Sequence, residues 1–237
     1  MEKYYKIAGL TVKMDTFGRT EEQARPYACE PSEPIDIVVQ SCWPEIKERY
    51  PQYTDDVGEY MTTGAIFYQH LLDYDGMRLH SSAVVVDGKA YLFTADSGTG
   101  KSTHTRLWLE LFGDRAFILN DDKPALRLED GVWYAYGTPW SGKHDISVDK
   151  KIPVAGIAAI ERGEKNEIAP LGGIEGIHAI LKQVNRPRAA GYREKLLELM
   201  DKLFEQVPIW KLRCNMDPEA AIVAYEAMSG EKWRKEK

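Results

Sequence analysis

The chain is poor in cysteine, and what it has is scattered. Cys29, Cys42 and Cys214 are the only three among 237 residues, and no two form a C-x-x-C pair. That excludes a disulfide framework and offers no zinc-ligand spacing. The thiols read as reduced ones in a cytoplasmic protein. Long apolar runs are missing too. The longest, residues 152–160, is broken by Pro153 and Gly156, whereas a membrane-spanning helix needs about 20 apolar residues. The opening MEKYYKIAGL carries charge and two tyrosines where a signal peptide has its apolar stretch, so no secretion signal is read. Positive charge is in deficit: 31 basic against 37 acidic residues leaves −6. A phosphate backbone repels such a surface unless a basic patch offsets it, so no nucleic-acid partner is expected. The tail EKWRKEK is short and mixed in sign, and reads as solvated. No internal repeat, low-complexity tract or long linker appears.

What remains is a balanced globular composition. Apolar residues make up 43%, charged residues 29% and aromatics 11%, enough to bury a substantial core. Residues 1–75 read as a β-rich region without catalytic signature, with KYYKIAGLTVKM and PIDIVVQ as strands; 58–74 fits strand or helix. From Leu79 the texture changes. LHSSAVVVDGKAYLFTA reads as two strands joined at Asp87-Gly88, a dipeptide suited to a tight hairpin. KSTHTRLWLELFG reads as a helix with Leu107, Trp108 and Leu111 on similar faces and Gly113 as its stop. AFILN is a strand, ALRLEDGVWYAYG a hairpin turning at Asp130-Gly131, and PVAGIAAIER a further strand. The last third reads as mostly helical, over 174–181 and 192–204. VPIWKLRC is one more strand, and Asp217-Pro218 opens a final helix, with Asp as a cap and Pro in the first turn. The order favours one compact α/β unit.

The strongest chemical signal is Ala95-Asp96-Ser97-Gly98-Thr99-Gly100-Lys101-Ser102-Thr103. It meets the phosphate-loop pattern G-x-x-x-x-G-K-[ST] everywhere except the first position, where Ala95 stands for glycine. Gly98 and Gly100 let successive backbone amides turn inward, toward phosphate oxygens. Lys101 supplies a cation for terminal phosphates, Ser102 a hydroxyl for Mg²⁺, and the helix start a partial positive charge. Ala95 is tolerable if its φ is negative. About twenty residues on, Asp121-Asp122 end an apolar strand. An acid there can hold Mg²⁺ while its neighbour accepts a proton from an attacking hydroxyl; taken alone, the pair reads as a solvated turn, and the phosphate loop upstream turns the reading to function. His80, before the first strand of the hairpin, is a candidate site residue or an ordinary hydrogen-bonded histidine. The loop Thr138–Lys143 could close over a phosphate, or be a surface loop anchored by Trp140. Arg162, Arg186, Arg188 and Arg213 are further cations, and no pattern selects one.

These residues together resemble a known group. LHSSAVVVDGKAYLFTADSGTGKST followed by ILNDD is similar to the core shared by HPr kinase/phosphorylase and ATP-dependent phosphoenolpyruvate carboxykinase. GTPWSGK, AGIAAIERGEKNEI and VPIWKLRCNMDPEAA resemble a smaller HPr-kinase-like branch, some members of which sit beside peptide-modification systems and phosphorylate a serine at a peptide terminus. The core match spans about residues 79–165, with a weaker echo to 228. The resemblance implies a P-loop α/β core of the carboxykinase/HPr kinase type over 76–237, with a β-rich N-terminal region and a helical C-terminal third. It implies ATP and Mg²⁺ as cofactors, with Ser97, Gly98, Thr99, Gly100, Lys101, Ser102 and Thr103 around the nucleotide and Ser102 and Asp121 on the metal. It makes Asp122 the base and places His80 and Lys101 near the transferred phosphate. No C-terminal signature of a true HPr kinase/phosphorylase is present, and the chain is too short for carboxykinase machinery. The expectation is an ATP-dependent kinase acting on a Ser/Thr hydroxyl of a protein or peptide, cytoplasmic, with no membrane partner and self-association left open. A small-metabolite kinase and a non-catalytic nucleotide-binding module are the alternatives.

Overall fold

The computed structural model describes residues 3–31 and 33–234. In chain order the strands are β1 (Lys3–Ile7), β2 (Leu10–Met14), β3 (Ile37–Val39), β4 (Gly76–Arg78), β5 (Ser81–Val86), β6 (Lys89–Thr94), β7 (Ala116–Asn120), β8 (Ala125–Glu129), β9 (Val132–Tyr136), β10 (Lys151–Arg162), β11 (Glu167–Pro170) and β12 (Ile209–Cys214). The α-helices are α1 (Gly18–Ala24), α2 (Trp43–Ile46), α3 (Asp55–His70), α4 (Lys101–Phe112), α5 (Gly173–Leu181), α6 (Ala190–Gln206) and α7 (Glu219–Ser229).

The large sheet is mixed and turns on β10. Its first residues pair antiparallel with β9, and its later ones pair parallel with β6 on one edge and β12 on the other. Beyond β6 lie β5 and then β7, both antiparallel to their neighbours; beyond β9 lie β8 and β4. The two Asp-Gly hairpins form as the sequence reads them. Asp87 and Gly88, and Asp130 and Gly131, all have positive φ, as tight two-residue turns require. Both faces of the sheet are covered. Along β5, Ala83 and Val85 face a layer with Ile180 of α5 and Leu196, Leu199 and Leu203 of α6. Val84 and Val86 face the other way, toward Trp108 of α4 and Tyr225 of α7, the alternation that a strand imposes.

The N-terminal region differs from its sequence reading. KYYKIAGLTVKM is a hairpin, not one strand: Ala8 and Gly9 take φ of 51° and 78° and fold β2 back on β1. β3 adds parallel to β2. The remainder is helical rather than β-rich. α3 is capped by Thr54, whose side chain accepts a hydrogen bond from the Val57 amide, and carries Asp55 and Asp56 in its first turn. Tyr5, Ile7 and Val12 of this small sheet share a core with Tyr60, Phe67 and Tyr68 of α3, with Ala125 and Tyr136 of the large sheet, and with Trp140 of the loop after β9.

Three smaller expectations change. The buried stripe of α4 runs through His104, Thr105, Trp108 and Phe112, leaving Leu107 and Leu111 half-buried at its flanks. Asp217 does not cap α7 with its side chain, which instead accepts from Asn215. The edge strand β11, which sequence reasoning passed over, pairs with β12. Of the tail, residues 235–237 lie outside the described ones. No described helix is long and apolar enough to cross a membrane.

Candidate active site

β6 runs into residues 95–100, and these open α4. Gly98 and Gly100 have φ of 78° and 126°, conformations that a residue with Cβ adopts at a cost. Ala95 is not among the positive-φ residues; its methyl is buried in the core beside α4. The condition on an alanine at the first loop position is therefore met. The Thr99 amide closes the turn by donating to Asp96 O at 3.2 Å. Arg162, at the end of β10, donates to the carbonyls of Gly98 (2.6 Å) and Thr99 (3.2 Å) from outside. Two of the loop's carbonyls thus face outward to an arginine, and α4 presents its first-turn amides, which have no partner within the helix.

Across from this turn stand the two acids. A cleft of about 440 Å³ is lined by Ser97, Gly98, Gly100, Lys101, Ser102 and Thr103 on one side and by His80, Asp121, Asp122 and the loop Ser141–His144 on the other. Every predicted site residue lies on this cleft except Thr99, whose amide and carbonyl are used in holding the turn. The Lys101 side chain is buried and donates to Ala95 O at 2.9 Å. Burial pushes its ammonium below the ordinary lysine range, against the opposing pull of Asp122, Asp121 and Asp96.

The two acids are held differently. Asp121 accepts from the Ser82 hydroxyl at 2.6 Å, and Ser82 also bonds Thr105 of α4 at 2.9 Å. A strand of the hairpin thereby ties the carboxylate to the helix. Asp122 meets His80 Nε2 at 3.2 Å and forms an ion pair with Lys123. Burial alone would raise the Asp122 carboxyl; the His80 hydrogen bond and the Lys123 charge override it and hold it at about 2. His80 is held from behind. Its Nδ1 lies 2.9 Å from Gln183 Oε1, its amide donates to Gln183 O, and Gln183 Nε2 reaches Asp96 Oδ1 at 3.1 Å. One glutamine thus joins the glycine loop to the histidine.

The loop 138–144 is anchored by Trp140, one of the two readings that the sequence allowed. Trp140 is fully buried, stacked on Phe67 at 4.8 Å and donating to Thr63 Oγ1. It packs so tightly over Gly64 that a Cβ there would clash with the indole. Gly142 and Lys143 reach the cleft. The Gly142 amide donates to Tyr60 OH at 3.0 Å, and its carbonyl accepts from Gln23 of α1 at 3.0 Å. At a φ of 79°, Gly142 passes so near Asp122 that an added Cβ would sit 2.8 Å from that residue's Cβ. Burial pushes the Tyr60 hydroxyl up to about 12, so it serves as a neutral peg.

Sequence reasoning missed several of these groups. Asn120 is buried and donates to Thr138 and Ser147, while its Oδ1 accepts from the amides of Asp122 (3.0 Å) and Lys123 (2.7 Å). It was legible only as the residue before two acids. Lys123 and Gln183 carried no motif. Arg78, half-buried and in the field of Asp122, has no partner on Nε. His104 is also buried, and burial pushes it down to about 3, so it is neutral and accepts from Trp108.

A nucleotide and Mg²⁺ suit this donor set. Mg²⁺ in phosphate sites typically takes one or two carboxylates plus phosphate oxygens, which Asp121 and Ser102 match. Among the described residues, no cluster of three His, Cys, Asp or Glu side chains offers an all-protein metal cage.

A family model described as "SynChlorMet cassette protein ScmC" matches residues 45–219. No curated protein matches the sequence. Among solved structures, the Hpr(Ser) kinase/phosphatase from Coxiella burnetii aligns over 65% of this chain and 99% of its own, at 12% identity and a TM-score of 0.37. At those values the likeness bears no weight for activity, and the chemistry rests on the cleft itself.

Proposed function

The chain belongs to the family of SynChlorMet cassette protein ScmC, and on the geometry of its cleft we propose that it is an ATP- and Mg²⁺-dependent kinase for a Ser/Thr hydroxyl on a protein or peptide. One observation carries the reading: the amide-rich turn at Gly98–Lys101 and the paired acids Asp121 and Asp122 line a single cleft. A sensor that only binds nucleotide has no use for the second acid.

Bound in the cleft, nucleotide and Mg²⁺ would supply the phosphoryl group and neutralise its charge; Ser102 and Asp121 would hold the metal. The first-turn amides and Lys101 stabilise charge on the phosphates without reorganising, since the turn is already fixed by Arg162 and Asp96. The second depression, of about 430 Å³ between Leu107, Ile160, Arg162 and Met216, is where the base would lie. Asp122 faces the acceptor. Held ionised by His80 and Lys123, it is a weak base but a firm hydrogen-bond acceptor. It orients the attacking oxygen and takes its proton late, as a loose phosphoryl transfer requires. Gly142 and Lys143 close the acceptor side.

The test is mass spectrometry of acceptors after incubation with γ-labelled ATP, starting with products encoded beside the chain. Lys101→Ala is expected to abolish transfer with the fold intact. Asp122→Asn is expected to bind ATP normally and lose about two to four orders of magnitude in rate. Near-normal transfer by Lys101→Ala overturns the reading.

A further inference from the structure

A second cleft lies in the N-terminal region, away from the acids. β2 and β3 run parallel, and the segments leaving their carboxyl ends part over α3. The space between them is about 610 Å³, larger than the cleft at the glycine loop. The carboxyl ends of parallel strands are a common place for ligand crevices. The walls set apolar Met14, Phe17, Val38 and Pro44 beside polar Lys13, Asp15, Gln40 and Ser41. Phe17 and Val38 remain 48% and 57% exposed, a large apolar surface left in water.

Glu59 lines this cleft and is 1% exposed. Its Oε2 accepts from the Thr20 hydroxyl, whereas Oε1 is buried with no hydrogen-bond partner. Burial pushes the carboxyl up to about 7; the Phe17 backbone and Thr20 lower it, and the neighbouring charges, Asp56 and Asp15, raise it further. A buried acceptor without a donor is costly, and the two carboxylates that raise Glu59, Asp56 and Asp15, favour a cationic donor. Only one oxygen lacks a partner. A guanidinium fork wants two, while an ammonium is satisfied by one.

We propose that this cleft binds a protonated primary amine carried on an apolar stem, with the ammonium donating to Glu59 Oε1 and the stem lying along Phe17 and Val38. A free alkylamine and a lysine side chain of a peptide share that chemistry. The site is independent of the kinase reading.

The test is amide NMR of the full chain at pH 8, where Glu59 is ionised. n-Pentylammonium chloride and the peptide acetyl-Gly-Lys-Gly-amide are titrated separately, with n-pentanol as the uncharged control. Saturable shifts at Phe17, Val38, Gln40 and Glu59 are expected with a cation, at least about tenfold weaker with pentanol and tenfold weaker in Glu59→Gln. Binding of the peptide alone assigns a lysine side chain; binding of pentylammonium assigns a free amine as sufficient. Val38→Lys, which places its own ammonium at the mouth, is expected to lose binding even if Glu59→Gln fails to fold. No saturable shift by 20 mM of either cation, equal binding of pentanol, or undiminished binding in Glu59→Gln overturns the proposal.

Discussion

At the scale of single residues, the charged groups of this protein are defined by what holds them. Asp121 and Asp122 are adjacent in sequence, yet one is fastened to a serine and the other to a histidine and a lysine. The sequence shows the pair but not the division, because nothing in it links Ser82, Lys123 and Gln183 to the acids they meet only in the fold. Asn120 is a similar case: its side chain fixes the turn that aims Asp122. Glu59 gives a measurable pH signature. Its carboxyl sits at about 7 in the folded protein against an ordinary 4.5. Between those values the folded chain holds a proton that the unfolded chain has lost, so stability falls as pH rises. The shift corresponds to roughly 3 kcal/mol across the interval. Urea melts at pH 5 and pH 8 are expected to show that loss in the native chain and to show a smaller difference, by roughly 2–3 kcal/mol, in Glu59→Gln. Equal slopes in both would mean that Glu59 is already ionised at pH 5.

At the scale of elements, the legible parts were those whose backbone chemistry is local. Asp87-Gly88 and Asp130-Gly131 announce their turns, and Gly98 and Gly100 their loop, because positive φ leaves a mark in residue choice. α3 left no such mark. Its buried face includes Gly58, Glu59, Thr62, Thr63 and Gly64, small or polar residues that blank out the apolar periodicity on which a helix reading depends. Those residues are there because of what they receive: Gly64 admits the Trp140 indole and Thr63 accepts its N–H. Trp140→Ala is expected to cost about 3–5 kcal/mol in chemical denaturation and to loosen the 138–144 loop enough to depress transfer. Trp140→Phe, which keeps the stack on Phe67 but loses the bond to Thr63, is expected to cost less than half as much. Equal losses would place the anchor in the hydrogen bond rather than in the ring.

At the scale of the whole molecule, residues 3–75 do not line the cleft but brace the loop that does. Tyr60 and Gln23 hold Gly142, and Trp140 of the same loop shares its core with Tyr5, Ile7 and Phe67. A chain beginning at residue 76 is expected to expose Trp140, bind a hydrophobic dye, lose near-ultraviolet circular dichroism and fail to transfer phosphate. A fragment with full transfer would make the N-terminal region an appendage. α3 joins the two clefts at a single peptide bond: Glu59 faces one and Tyr60 pins the loop of the other. A helix is stiff over such a distance, with a rise of about 1.5 Å per residue. A shift of the rod at the first chamber would carry Tyr60 with it, and with Tyr60 the lintel of the second.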